Sequence, residues 1–177
     1  MGRDKEIKRA VDSMVIICDT REQDTEQLTQ RLDTLGHPYR REALSEADYQ
    51  VEYITEDGAT VRLPVAIERK MSLDELATCF TSERDRFQAE MERLSEKGIH
   101  TYLLVEKANW EEVYRGSYRS KMHPASFLGS LLWWMVHYKL NIVFCKPGTS
   151  GRLIGDILKY EVCEDARRRL NEGSGGV

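Results

Sequence analysis

Thr60–Asp74 reads TVRLPVAIERKMSLD, and the reading of the fold turns on this stretch. Thr60–Glu68 is apolar and β-branched enough for a strand, with Pro64 marking a local bulge or an edge position. Glu68 and Lys70 stand two apart at its end, so alternation puts a carboxylate and an ammonium on one face. Ser72 opens a short helix with Glu75 in capping-box position, and Asp74 falls in its first turn, close enough to reach back. Carboxylates hold a hard cation such as Mg²⁺ through oxygen. A lysine beside them positions or polarises an attacking water and balances charge on a phosphorane-like transition state.

Upstream, Ser13–Asp19 (SMVIICD) reads as a buried strand that ends at Asp19-Thr20-Arg21-Glu22. Asp24, with Gln27 three residues on, opens a helix whose Leu28, Leu32 and Leu35 recur at helical spacing before Gly36 and Pro38 end it. Tyr39–Ile54 is an extended run containing Asp48, and Glu56-Asp57-Gly58 is a hairpin turn. If these segments neighbour one another in the sheet, Asp19, Glu22, Asp48, Glu68 and Asp74 gather on one spot. Like charges that close need a cation.

Downstream, Ser82 opens a helix with Phe87, Met91 and Leu94 on one face, stopped by Gly98. Ile99–Glu106 is a strand, Trp110–Tyr114 a short helical piece within a surface loop over Lys107–Lys121, and Pro124 starts a helix to about Tyr138. Asn141–Cys145 is a strand, Pro147–Ser150 a turn, and a last helix runs from about Arg152 to Leu170. Strands alternating with helices indicate an α/β fold with a mixed sheet. The expected organisation is an N-terminal arm over 1–13, one domain over 14–170 and a disordered tail over 171–177.

The 177 residues suit one domain. No run approaches the roughly 20 apolar residues of a membrane span, and the charged N-terminus lacks a signal peptide's apolar core. Cys18, Cys79, Cys145 and Cys163 form no CxxC pair, which suggests a reducing, cytoplasmic setting without a zinc site. The net charge of −4 hides an uneven distribution: from Val113 to Gly155 there is no Asp or Glu, while Arg115, Arg119, Lys121, Lys139, Lys146 and Arg152 lie in that stretch. Arg115, Tyr118, Arg119 and Lys121 suit a DNA backbone and an unstacked base. His123 and His137 read as structural, and Arg167-Arg168-Arg169 as a helix C-terminus complementing its dipole.

Asp19-Thr20-Arg21-Glu22, Ala47-Asp48-Tyr49 and Glu68-Arg69-Lys70-Met71-Ser72-Leu73-Asp74 together resemble the nuclease domain of the XPF family of structure-specific endonucleases. That family's signature is Gly-Asp, a gap, then Glu-Arg-Lys-x-x-x-Asp, a variant of the restriction-endonuclease-like PD-(D/E)XK site. Arg84-Asp85-Arg86-Phe87-Gln88 resembles the helix after the motif, where an Arg and a Gln face the site. Tyr102–Glu106, Ser126–Tyr138 and Asn141–Cys145 resemble later elements, so the likeness covers about residues 14–165. Ala47 stands where the family usually has Gly, which matters if that backbone needs a positive φ.

The resemblance implies a restriction-endonuclease-like α/β fold, a central mixed sheet flanked by helices. It implies a flap, fork or junction DNA endonuclease using Mg²⁺ or Mn²⁺, of the kind that serves DNA repair and recombination. Asp48 and Glu68 would be direct metal ligands and Lys70 the water-orienting group. Asp19, Glu22 and Asp74 would support, directly or through water, and Arg69 would hold a carboxylate or phosphate with its forked donors. Arg84, Arg86 and Gln88, with Arg115, Arg119 and Lys121, would face DNA. With no helix-hairpin-helix module expected after residue 170 and no helicase-like region before the domain, a partner is expected to supply junction specificity.

Other readings stand beside this one. A lone Glu-x-Lys is more often a solvated charge cluster; the further acidic blocks in family spacing argue otherwise. A non-catalytic DNA-binding or dimerisation subunit is one alternative, since some relatives have this fold with an eroded motif; another enzyme on the same fold, such as a resolvase or restriction-type nuclease, is a second. The helix over 125–138 (ASFLGSLLWWMVHY) is apolar nearly all round, and Trp133 and Trp134, successive, cannot share a face. A homodimer through the 124–170 helices would cover it; burial under the last helix is the alternative.

Overall fold

The architecture comes from a computed structural model that describes residues 2–173. In chain order the elements are α1 (Gly2–Asp12), β1 (Val15–Asp19), α2 (Glu26–Asp33), β2 (Tyr39–Glu42), β3 (Tyr49–Ile54), β4 (Thr60–Arg62) and β5 (Val65–Lys70). Then follow α3 (Leu73–Cys79), α4 (Arg84–Glu96), β6 (His100–Glu106), α5 (Trp110–Arg115), α6 (Pro124–His137), β7 (Asn141–Cys145) and α7 (Pro147–Gly173). This is the expected mixed α/β chain, with parallel and antiparallel strand pairs and flanking helices. It divides into two units, one formed by residues up to Val65 together with those from Gly151 on, the other by Ala66–Ser150.

In the first unit β1 is central. It pairs in parallel with β2 and antiparallel with β3, and β4 pairs antiparallel with β3 across the expected Glu56–Gly58 turn. Met14, Ile16, Ile17 and Cys18 are fully buried. The sheet's other polar load is an ion-pair ladder in which Arg40 and Arg62 bracket Glu42 and Glu52; such exposed pairs add little stability each. Tyr53 Oη donates to Asp165 of α7 at 2.8 Å, a carboxylate also held by Arg168 and Arg169. Arg168 and Arg169 therefore brace α7 from within; the helix runs on to Gly173.

Several boundaries differ from the sequence reading. Tyr39–Ile54 is two strands, not one extended run, and Thr60–Glu68 breaks at Leu63-Pro64. The cap of α2 is Thr25, whose hydroxyl accepts from Leu28 N at 3.1 Å; Asp24 instead pairs with Arg41. α4 starts at Arg84, not after Ser82, and without a side-chain cap. Residues 2–12 of the expected arm are helical. Pro147–Ser150, expected as a turn, is the first turn of α7, where proline loses no hydrogen bond. Residues 171–173 of the expected tail continue that helix, and 174–177 lie outside the described residues.

Gly151 and Gly155, one turn apart on α7, are there for contact. A Cβ on Gly151 would overlap the Arg31 carbonyl oxygen, and one on Gly155 the Leu35 carbonyl oxygen. Helix propensity alone favours alanine by about 1 kcal/mol, but collision with backbone outweighs it. Gly155→Ala is expected to destabilise the fold by about 2 kcal/mol or more, read as a lower urea midpoint; an unchanged midpoint would mean that α7 is not seated there.

In the second unit β5 lies beside β6, and β6 pairs in parallel with β7. α6 buries Phe127, Leu131 and Trp134, at helical spacing, around Phe80 and Phe87. Its opposite side leaves Leu132 42%, Trp133 49% and Val136 70% exposed. Among the described residues no helix is long and apolar enough to cross a membrane. The four cysteines are free: Cys18 and Cys79 buried, Cys145 and Cys163 half-buried.

Candidate active site

The first unit carries Asp19, Glu22 and Asp48. The β1–β3 ladder extends one residue past the strand: Asp19 N–H donates to the Asp48 carbonyl at 2.9 Å. Residues paired this way put their side chains on the same face, so two acidic residues sit opposite each other at the sheet end. The Asp19 carboxylate is buried and accepts from the backbone N–H of Arg21 at 3.2 Å and of Leu44 at 3.3 Å, and from Arg21 Nε at 2.5 Å. Glu22 accepts from Arg31 Nη1 at 3.1 Å, which also donates to Tyr49 Oη at 3.3 Å. Arg41 Nη2 donates to the carbonyls of Asp19, Thr20 and Glu22 and so fixes the turn between them.

Arg31 and Arg41 were not among the residues singled out in the sequence. Arg31 had a signal: it sits on the Leu28/Leu32 face of α2, where a charge needs a partner. Arg41 had none, because its role depends on the β1–β2 register.

Asp48 follows Ala47, whose φ is +60°. The backbone here does require the left-handed region, where the resembled family usually has Gly. An alanine there is strained by about 1 to 2 kcal/mol, partly offset by the lower entropy of an unfolded alanine. Ala47→Gly is therefore expected to raise stability by about 0.5 to 1 kcal/mol, read from chemical denaturation; a lowered stability would contradict the strain.

The second unit carries Glu68, Lys70, Asp74 and Arg69. Glu68 and Lys70, both buried, share a face of β5 and form a direct ion pair. Burial pushes the Glu68 carboxyl well above the ordinary carboxylate range, with the Lys70 ammonium pulling the other way. The Lys70 ammonium also lies over the Phe87 ring, 4.8 Å from its centroid. Arg69, alternating to the other side, reaches Glu106 of β6 at 3.4 Å. Ser72 caps α3 by accepting from Glu75 N at 3.3 Å, while the Glu75 carboxylate accepts from Met71 N at 2.6 Å, one residue ahead of the usual box.

Asp74 accepts from Arg119 N at 2.6 Å and Nε at 2.8 Å. These bonds hold its carboxyl below the usual range and tie the 117–123 loop to α3. Of the other basic candidates, Arg84, Arg115 and Lys121 are exposed, Arg86 pairs with Glu83, and Gln88 donates to Glu92 at 2.9 Å. His123 caps α6 through Nδ1, which accepts from Ala125 N at 3.3 Å, and His137 stacks on Trp133; both are structural.

Among the described residues no three His, Cys, Asp or Glu side chains form a group able to hold a metal ion. Asp19, Glu22 and Asp74 are each engaged by an arginine within their own unit. A hard divalent cation does not need three. Mg²⁺ keeps several waters and is held by one or two carboxylates together with substrate phosphate oxygens. The buried Glu68 carboxylate is a hard oxygen donor of the kind that ion takes.

An ERCC4 domain model matches residues 18–154. Two solved structures share the fold. XPF from Aeropyrum pernix is 18% identical with a TM-score of 0.59, over 82% of this chain and 60% of that one. XPF from Aeropyrum pernix in complex with DNA is 19% identical with a TM-score of 0.57, over 85% of this chain and 66% of that one. The chain thus spans three fifths to two thirds of the length of those structures. No curated protein matches it. The expected restriction-endonuclease-like fold is borne out by these likenesses.

Proposed function

From the premise that the chain belongs to the ERCC4 domain family, we propose that it is a Mg²⁺- or Mn²⁺-dependent DNA endonuclease that hydrolyses phosphodiester bonds at branched, flap or fork structures. The observation that carries this reading is the buried Glu68–Lys70 pair on one face of β5, within Glu68-Arg69-Lys70-x-x-x-Asp74. A buried pair of this kind is weak evidence for stability, since apolar residues usually do as well. A catalytic ammonium beside a ligand carboxylate gives it a reason to exist.

In this reading Asp48 and Glu68 are the ligands that hold the cation, with Asp19 and Glu22 supporting. The ion, when bound, supplies Lewis-acid stabilisation of the phosphate and lowers the pKa of water. Lys70 orients the attacking water by hydrogen bonding and offsets negative charge on the phosphate oxygens. Arg69 steadies the end of β5 through Glu106. Asp74 holds Arg119, so that a basic loop lies beside the motif, and Arg84, Arg86, Gln88, Arg115 and Lys121 contribute phosphate contacts. The exposed Leu132, Trp133 and Val136 support a homodimer through this face, and the setting is cytoplasmic.

The test is a panel of labelled flap, fork and linear duplex DNA with Mg²⁺, Mn²⁺ or EDTA. Cleavage of the branched substrates that needs the ion is expected, leaving 5′-phosphate and 3′-hydroxyl ends. Binding without cleavage would instead identify a non-catalytic subunit, and equal cleavage of linear duplex a restriction-type nuclease.

A further inference from the structure

The face of α4 read from sequence as core, Phe87, Met91 and Leu94, is buried, but Phe87 does more than fill space. Its ring is the surface on which the Lys70 ammonium rests. We propose that Phe87 is a positioning residue for Lys70: its ring face, fixed by Trp134 behind it, holds the ammonium by a cation–π contact at the place where it acts. The proposal rests on Lys70 being the water-orienting group, and it assigns part of that role to a residue outside the motif.

Three features of the structure support it. The Lys70 ammonium lies 4.8 Å from the ring centroid, within the range of about 6 Å over which the quadrupole attracts a cation. Lys70 is nearly buried, so the contact is desolvated and stronger than at a surface. The ring is also not free to turn away. Phe87 stacks on Trp134 at 5.0 Å and 29°, and Trp134 meets Phe80 edge-on at 4.9 Å, which in turn meets Phe127 at 5.6 Å. An ordered aromatic row thus runs from the α6 core to the lysine.

The chemistry explains why a ring suits this place. An aliphatic side chain would desolvate the ammonium and return nothing. A ring face attracts the cation, accepts no proton and leaves the N–H donor to Glu68 in place.

Fluorination of the ring separates this role from packing, because it drains the negative face while leaving size and apolarity nearly unchanged. The full chain is made with 4-fluoro-, 3,5-difluoro- and 3,4,5-trifluorophenylalanine at position 87, and single-turnover cleavage of a labelled flap is measured with Mg²⁺. The rate is expected to fall stepwise with fluorine number, reaching about five- to tenfold at the trifluoro ring, with KM and the melting temperature little changed. Phe87→Leu should lose at least as much, and Phe87→Tyr should retain the rate. A readout independent of cleavage is the NMR signal of ¹³Cε-labelled Lys70: its ring-current shift is expected to persist in Phe87→Tyr and vanish in Phe87→Leu.

A flat rate across the fluorinated series, with the parent protein active and Lys70→Ala inactive, would overturn the role of Phe87 and leave the assignment of Lys70 intact. A Lys70 signal that does not move in Phe87→Leu would overturn it on geometry alone. Full activity in Lys70→Ala, or no cleavage by the parent protein, would remove both.

Discussion

Lys70→Ala is expected to lower the rate of metal-dependent DNA cleavage by about a hundred- to a thousandfold, the loss typical of removing a charge-stabilising donor from an active site. The substitution also has a structural cost that must be separated from the chemical one. Lys70 is the direct partner of the buried Glu68 carboxylate, and removing one member of a buried pair costs roughly 3 to 5 kcal/mol when the other stays charged. Here the Glu68 carboxyl is already pushed up by its burial and can take a proton instead, which limits the loss. A cleaner variant removes both charges. Glu68→Gln combined with Lys70→Met keeps the volumes and should be close to neutral in stability, while cleavage stays abolished. Kinetics and a urea titration on the same preparations check both halves. Cleavage that survives in either variant would mean the pair is structural.

Trp134→Ala is expected to destabilise the fold by about 3 to 5 kcal/mol, whereas Trp133→Ala is expected to leave the stability of the single chain nearly unchanged. The two residues are neighbours in sequence and opposite in role. Trp134 is 1% exposed and packed on Phe87, Phe80 and Tyr138. Trp133 is 49% exposed, and among the described residues its ring contacts are with His137, stacked at 4.3 Å, and with Tyr138, edge-on at 5.8 Å. If a second copy covers the Leu132/Trp133/Val136 face, Trp133→Ala should shift sedimentation from dimer toward monomer at micromolar concentration without lowering the denaturation midpoint measured on the monomer. Unfolding of Trp133→Ala at the same midpoint as Trp134→Ala would contradict the division of faces.

Local patterns carried much of this structure. The apolar run before Asp19, the Leu spacing of α2, the Glu56–Gly58 turn, the Ser72 cap and Pro124 at the start of α6 are all short-range signals, and each element lies within a few residues of where they place it. The motif spacing likewise put Glu68 and Lys70 on one face, where the structure joins them.

What could not be read depends on contacts distant in sequence. Tyr39–Ile54 looks like one extended run because no Gly or Pro interrupts it, yet β2 ends at Glu42 and β3 begins only at Tyr49, just after Ala47 with its φ of +60°. Gly148 reads as part of a turn, and nothing in the sequence gives Gly151 or Gly155 a purpose. The latter two are needed because α7 presses on the carbonyls of Arg31 and Leu35. Arg41 became visible only once β1 and β2 were in register. Phe87 looked like any core position, since no sequence pattern tells a ring that packs from a ring that also carries a charge.

In the proposed function, acidic side chains of separate segments hold one divalent cation next to the Lys70 ammonium. The direct measurement replaces Mg²⁺ with Fe²⁺ in the intact protein, adds ascorbate and peroxide, and maps where the radicals formed at the ion cut the chain. Cuts grouped near residues 19–22, near 48 and near 68–70, all suppressed together by excess Mg²⁺, are the result predicted. Cuts confined to one of these segments, or falling elsewhere, would contradict it.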